Sequence, residues 1–233
     1  MNHDVIRTFG IDYIFFDLIF LAIFHVLMFR YRKTIPLVAF WLGGLAIMII
    51  DWGFWLQVFS IRELTLPESF LSSWPQYWRV FTFMFWFSFS YGLMFSWMFL
   101  MFERRKEGLW WTLLLWGGWI LVGLLSQWIP FKDAEFVTLR HMGDSRLTQS
   151  LIVVAGYLLL FILRYPLKTI LYLFMVGFLC HFMMESSLWI AGIRPGSMDV
   201  MLINSLVESN MGVPILWILY DKVLMKRKRP ITN

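Results

Sequence analysis

PLVAFWLGGLAIMIIDWGFWLQVF, Pro36–Phe59, carries one charged residue, Asp51, in an otherwise apolar run. At about 1.5 Å of rise per residue, roughly 20 helical residues cross the hydrocarbon of a bilayer. The stretch therefore reads as a membrane-spanning helix with a carboxyl group inside it. A charge at that depth costs several kcal/mol, so such a residue normally faces a polar interior. Trp55 follows Asp51 by one helical turn and shares its face, and Trp52 lies beside it. Indole surroundings disfavour a carboxylate, so the sequence alone favours the neutral acid here.

The rest of the chain repeats the pattern. Sixty per cent of the residues are hydrophobic and 20% are aromatic, more apolar surface than a soluble domain can bury. Further apolar runs fall near 12–29, 79–102, 109–129, 149–164, 168–191 and 200–221. The expected architecture is all-α: a seven-transmembrane-helix bundle forming a single domain over residues 1–233. No residues remain for a soluble domain, and no internal repeat is visible.

Charge sets the orientation. Arg30, Arg32, Lys33, Arg104, Arg105, Lys106, Arg164, Lys168, Lys222, Lys226, Arg227, Lys228 and Arg229 fall on one side. Arg7, Arg62, Arg79, Lys132, Arg140, Arg146 and Arg194 fall on the other. The richer side is expected in the cytoplasm, which puts the N-terminus outside and the C-terminus inside. The net charge of +5 then implies contact with anionic lipid headgroups rather than nucleic acid. Met1–Gly10 lacks the features of a cleaved signal, so the first helix reads as a retained anchor. An integral multi-pass protein of a bacterial plasma membrane or a eukaryotic endoplasmic-reticulum membrane is expected. Cys180, inside the sixth helix, reads as a buried structural thiol. The outer segments Ser60–Tyr77 and Pro130–Thr148 read as long interfacial loops, suited to covering a site.

Four acids lie within the spans, Asp17, Asp51, Glu185 and Glu208, and counting residues from the helix ends puts them at one level of the outer half. Asp17 is the shallowest and also fits an acid that reaches the interface. His181 and Glu185 are one turn apart on one face. That pair suits a proton relay or a polar clamp; a metal site is not expected, since no second helix offers a histidine. Asn204 stands one turn before Glu208, and Pro214 frees the carbonyl of Asn210, so the seventh helix is expected to break there. Polar groups at a broken turn in mid-membrane normally line a cavity. Tyr91, with Ser88 and Ser90, adds polar groups from the third helix, and Arg194 stands at the mouth of the sixth, able to hold a polar or anionic group or to snorkel.

Helix two with its acid and following aromatics, Glu185 ahead of Gly192-Ile193-Arg194-Pro195-Gly196, and the run Glu208-Ser209-Asn210-Met211-Gly212-Val213-Pro214 together carry a family likeness. The chain resembles the integral-membrane terpene cyclases of fungal meroterpenoid and indole-diterpene pathways and their bacterial relatives. The resemblance implies one catalytic acid on helix two and one on helix seven, matching Asp51 and Glu208. The order is reversed, Asp then Glu here against Glu then Asp there, which changes the reach of each group. It also implies protonation of an epoxide or alkene on a polyprenyl substrate, followed by ring closure through a carbocation. Glu185 with His181 would assist, while Trp52, Trp55, Tyr91, Asn204, Asn210 and Arg194 would line the substrate. Neither a cofactor nor a metal is expected. A proton-coupled transporter, a ligand-binding membrane protein and a sterol-isomerase-like enzyme use similar residues; the lack of repeats disfavours the transporter. The oligomeric state is not readable from the sequence.

Overall fold

The computed structural model describes residues 4–104, 106–129, 134–141, 145–196 and 198–225. Lys132, Asp133, Asp144 and the basic residues Arg105, Lys226, Arg227, Lys228 and Arg229 lie outside the described residues. A short strand β1 (Val5–Gly10) leads into α1 (Ile11–Arg30). Helix α2 (Thr34–Met48) continues into a wider π-helical winding, Ile49–Val58, which carries Asp51. Strand β2 (Arg62–Thr65) precedes α3 (Gln76–Ser90) and α4 (Gly92–Phe102), which form one rod interrupted at Tyr91. Helix α5 (Gly108–Trp128), strand β3 (Glu135–Arg140), α6 (Ser145–Ile162) and α7 (Leu167–Ile190) follow. The last rod is broken: α8 (Met198–Val207), a tight turn at Ser209–Met211, α9 (Val213–Ile218) and a final π winding, Leu219–Met225.

Among the described residues, six rods are long and apolar enough to cross a membrane: 11–30, 34–58, 76–102, 108–128, 167–190 and 198–225. This makes the chain a membrane protein by the length and composition of its helices. Helix α6 is apolar but shorter and falls outside this set, so six rods of that length stand where the sequence suggests seven. Short turns join the rods, with arginines at Arg32, Arg104 and Arg164 in the left-handed region at φ +54°, +50° and +59° where glycine is the usual residue.

The all-α expectation is corrected at the other end. The N-terminal stretch and both expected loops contribute strands to one antiparallel sheet of order β1-β3-β2. Arg7 is opposite Thr138 on β3, and Arg62 is opposite Arg140. Val5, Arg7 and Phe9 point inward from β1, and Phe136, Thr138 and Arg140 from β3. This is the alternation of a half-buried strand. It is hard to read because alternate inward positions are arginine or threonine rather than apolar. Phe136 stacks on Phe83 of α3 at 5.1 Å, and Phe9 meets Trp86 edge-on at 5.7 Å, which pins the sheet to the bundle. Such ring pairs contribute about 0.5–1.5 kcal/mol each beyond their burial. Arg79 fixes the rest of 60–77, donating to the carbonyls of Pro67 and Phe70 at 2.6 Å.

Just past the end of the central strand β3, exposed His141 lies 3.0 Å from Glu63 and 3.3 Å from Asp4. The hydrogen bond to Glu63 leads the forces that raise its pKa above the ordinary 6.5. A raised folded-state pKa means that the tie is fully present below about 6.5 and is lost as pH climbs through the raised value. An NMR titration of His141 should show a midpoint above 6.5 that falls back in Glu63→Gln.

Close helix approaches rest on glycine. A Cβ on Gly92 would sit 2.6 Å from the carbonyl oxygen of Phe40 on α2, a backbone atom that cannot step aside. Gly92→Ala should therefore destabilise the α2–α4 contact by about 1–3 kcal/mol, readable in thermal unfolding in detergent.

Candidate functional site

Asp51, Glu185 and Glu208 meet near the sheet end of the bundle, joined by arginines. The oxygen of Asp51 accepts from Arg62 of β2 at 2.9 Å. Glu185, wholly buried on α7, accepts from Arg7 of β1 at 2.9 Å and pairs with Arg194 from the turn after α7. Glu208, at the break between α8 and α9, pairs with Arg140 of β3 and, at 3.4 Å, with Arg146 of α6. His181 bridges two of the acids, its Nε2 lying 3.3 Å from Glu185 and 3.5 Å from Glu208. Asn204 accepts from Arg146, and the Tyr91 hydroxyl accepts from Arg7.

Each strand thus delivers one buried arginine onto the acids. The guanidinium of Arg62 lies 5.0 Å from the ring centre of Phe87 and 5.7 Å from that of Trp55, and Arg140 lies 5.2 Å from Trp55. Trp55 is therefore the floor under two cations, a contribution of about 0.5–2 kcal/mol per contact. Asp51 does not face indole alone, as its sequence neighbourhood suggests: Arg62 pairs with it from a strand eleven residues on. Burial pushes Arg62 below the ordinary arginine range, with Asp51 opposing and Arg140 reinforcing that shift. Burial and neighbouring Arg7 likewise push Arg194 down to about 9.

Asp17 stands apart. It is 1% exposed, so it does not reach the interface. It accepts from the indole N–H of Trp86 at 2.9 Å and from the hydroxyl of Ser90. No ion pair to Asp17 is found among the described residues. It faces a cavity of about 40 Å³ between α1, α3, α5 and α7, whose wall includes Phe9, Tyr13, Trp86, Phe87 and Trp119. Arg7 and Tyr91 belong to the same wall, so the cavity adjoins the ionic cluster. Trp86 also lines a second groove of about 270 Å³, open on the exposed apolar surface of α1, α2 and α3 beside Leu18, Trp41 and Phe85.

No family model, curated protein or solved structure matches the chain. The geometry therefore carries the functional argument alone.

Of the remaining expected site residues, Trp52 packs against Tyr77 and Phe81, away from the acids. Asn210 ties helices together, accepting from Tyr157 at 2.5 Å and donating to the carbonyl of Leu206 at 3.0 Å. Its amide fills the space that a side chain at Gly177 would take. Cys180 is buried in the core. Among the described residues no His, Cys, Asp and Glu side chains gather into a metal-sized group. Sequence reasoning counted Arg7, Arg62, Arg140 and Arg146 only as loop charges. Their signal was present for two of them as arginine sharing a strand face with phenylalanine, Arg7 with Phe9 and Arg140 with Thr138 and Phe136.

Proposed function

We propose that the protein is a membrane-embedded enzyme that cyclises or isomerises a polyprenyl substrate by proton transfer, with Asp17 as the proton donor. In this reading α6 also crosses, giving seven spans, with the sheet outside and the C-terminus in the cytoplasm. Arg32, Lys33, Arg104, Lys168 and Lys222 all fall at the end opposite the sheet, which supports that orientation. The substrate is a hydrophobic prenylated small molecule that arrives from the bilayer, passing from the exposed groove beside Trp41 to the interior past Trp86.

One observation carries the reading: Asp17 is a buried carboxyl group with neutral hydrogen-bond partners, set in a cavity walled by aromatic rings. A general acid must hold a proton at rest, and neutral partners suit that role better than the arginines that flank Asp51, Glu185 and Glu208. Asp17 would donate its proton to one carbon of a terminal alkene. The cation left on the other carbon is attacked by an internal double bond. Loss of a proton to a base then ends the sequence with no change in mass. Rings of Phe9, Tyr13, Trp86, Phe87 and Trp119 would stabilise the migrating charge, and a dry cavity protects it from capture by water. The ion-paired acids hold the sheet over this cavity and orient Arg7 and Tyr91 at its end.

Purified protein incubated with prenylated lipids in D2O tests the reading. A rearranged product isomeric with the substrate is expected, carrying a carbon-bound deuterium in place of a protium and heavier than the substrate by that exchange. Unchanged lipid together with proton-linked uptake into liposomes would replace the enzyme with a transporter.

A further inference from the structure

Among the described residues, charge does not balance in the cluster beneath the sheet. Arg7, Arg62, Arg140 and Arg194 are each at most 6% exposed, and Arg146 joins them through Glu208 and Asn204. Against these five guanidinium groups stand three carboxylates, Asp51, Glu185 and Glu208. With His181 neutral, the described cluster holds an excess of two positive charges. Arginine does not relieve such an excess by losing its proton. Hydrogen bonding is incomplete in the same place: the buried Nε groups of Arg7, Arg62 and Arg140 have no acceptor among the described residues. Three N–H donors, one from each of three adjacent strands, are thus left unpartnered among the described residues of a cluster with excess positive charge.

We infer that this cluster is a binding site for an oxyanion of the phosphate or diphosphate class, held by the arginines of the sheet. A phosphoryl group offers several acceptor oxygens and up to two or more negative charges, which meets both deficits at once. Planar guanidinium forks from Arg7, Arg62 and Arg140 suit such a group better than point charges would. The inference rests on charge and hydrogen-bond balance and holds whether or not Asp17 is a proton donor. Where it meets that reading is Arg7, which belongs both to the cluster and to the wall of the aromatic cavity. A phosphorylated headgroup on Arg7 would leave an attached hydrocarbon chain at the mouth of that cavity.

The test is thermal unfolding of the full chain in phosphatidylcholine nanodiscs with inorganic pyrophosphate or geranylgeranyl diphosphate, against chloride at matched ionic strength. An upward shift of several degrees with either phosphate compound, absent with chloride, is expected. A response to both marks a free anion site; a response to the prenyl compound alone marks a lipid-borne headgroup. Arg7→Gln should raise the half-saturating concentration about tenfold. Because that variant also unpairs Glu185, Glu208→Gln supplies the opposite sign. It keeps the side-chain shape, removes a competing carboxylate from Arg140 and Arg146, and should lower the half-saturating concentration. No shift with either compound in the wild-type protein overturns the inference, as does weaker binding in a folded Glu208→Gln protein.

Discussion

Asp17→Asn is expected to lower product formation by about 10²- to 10⁴-fold, the usual worth of a positioned general acid, while leaving the melting temperature almost unchanged. The substitution is close to isosteric. The amide oxygen can still accept from Trp86 and Ser90, the two donors that hold the carboxyl group. What is lost is the transferable proton. Asp51→Asn and Glu208→Gln provide the contrast. Each removes a carboxylate from an arginine pair, so each should lower the melting temperature and retain more activity than Asp17→Asn. Product formation followed by mass spectrometry, with deuterium uptake from D2O, separates the two classes. Full activity in Asp17→Asn alongside inactive but folded Asp51→Asn and Glu208→Gln would return the donor role to the ion-paired acids.

Six of the seven expected spans were legible because their signal is long and made of one residue class. The expected boundaries of the first span, 12–29, differ from Ile11–Arg30 by one residue at each end, and the break near Glu208 follows from Pro214. The sheet was not legible. Its strands are four to six residues long, and their buried faces carry Arg7, Arg62, Thr138 and Arg140, so an apolar alternation never forms. That one omission governed the reading of the site. Without the sheet, Asp51 reads as facing only tryptophan, and Asp17 reads as the acid closest to water. With it, three acids gain cations, Glu208 and Glu185 from far along the chain, and Asp17 is enclosed by Trp86 and Ser90. Depth along a helix is local information and was recoverable. Partnership is not, since Glu185 and Arg7 lie 178 residues apart.

The fold also separates two duties that the sequence presents as one. The π winding at Ile49–Val58 and the broken turn at Glu208 carry two of the acids that the sheet arginines engage. Irregular winding of this kind re-aims side chains and is frequent at functional sites. Here it faces the sheet, so its first consequence is to anchor a polar cap on an apolar bundle. Asp17, which has no ion pair among the described residues, sits instead on the regular helix α1.

Glu185→Leu should be the most destabilising single change in the molecule. The carboxylate is wholly buried and engages Arg7 and Arg194, with His181 at 3.3 Å. Leucine would leave two guanidinium groups without their carboxylate in a region already short of negative charge. Breaking a buried pair from one side costs about 3–5 kcal/mol, which for a chain of this size lowers the melting temperature by on the order of ten degrees. Glu185→Gln keeps an acceptor oxygen and should lose less. The sheet should loosen first, because Arg7 is the buried polar anchor of β1, and the Thr8 amide bonds to the carbonyl of Ile193, beside Arg194. Faster amide exchange confined to β1 and the turn after α7, at temperatures where the spans remain protected, is the expected signature. The triple replacement Arg7→Met, Glu185→Leu and Arg194→Met removes all three charges together and should recover much of the lost stability, as apolar replacements of buried ion pairs often do. A triple variant no more stable than Glu185→Leu would mean that the cost lies in packing around α7 and not in unpaired charge.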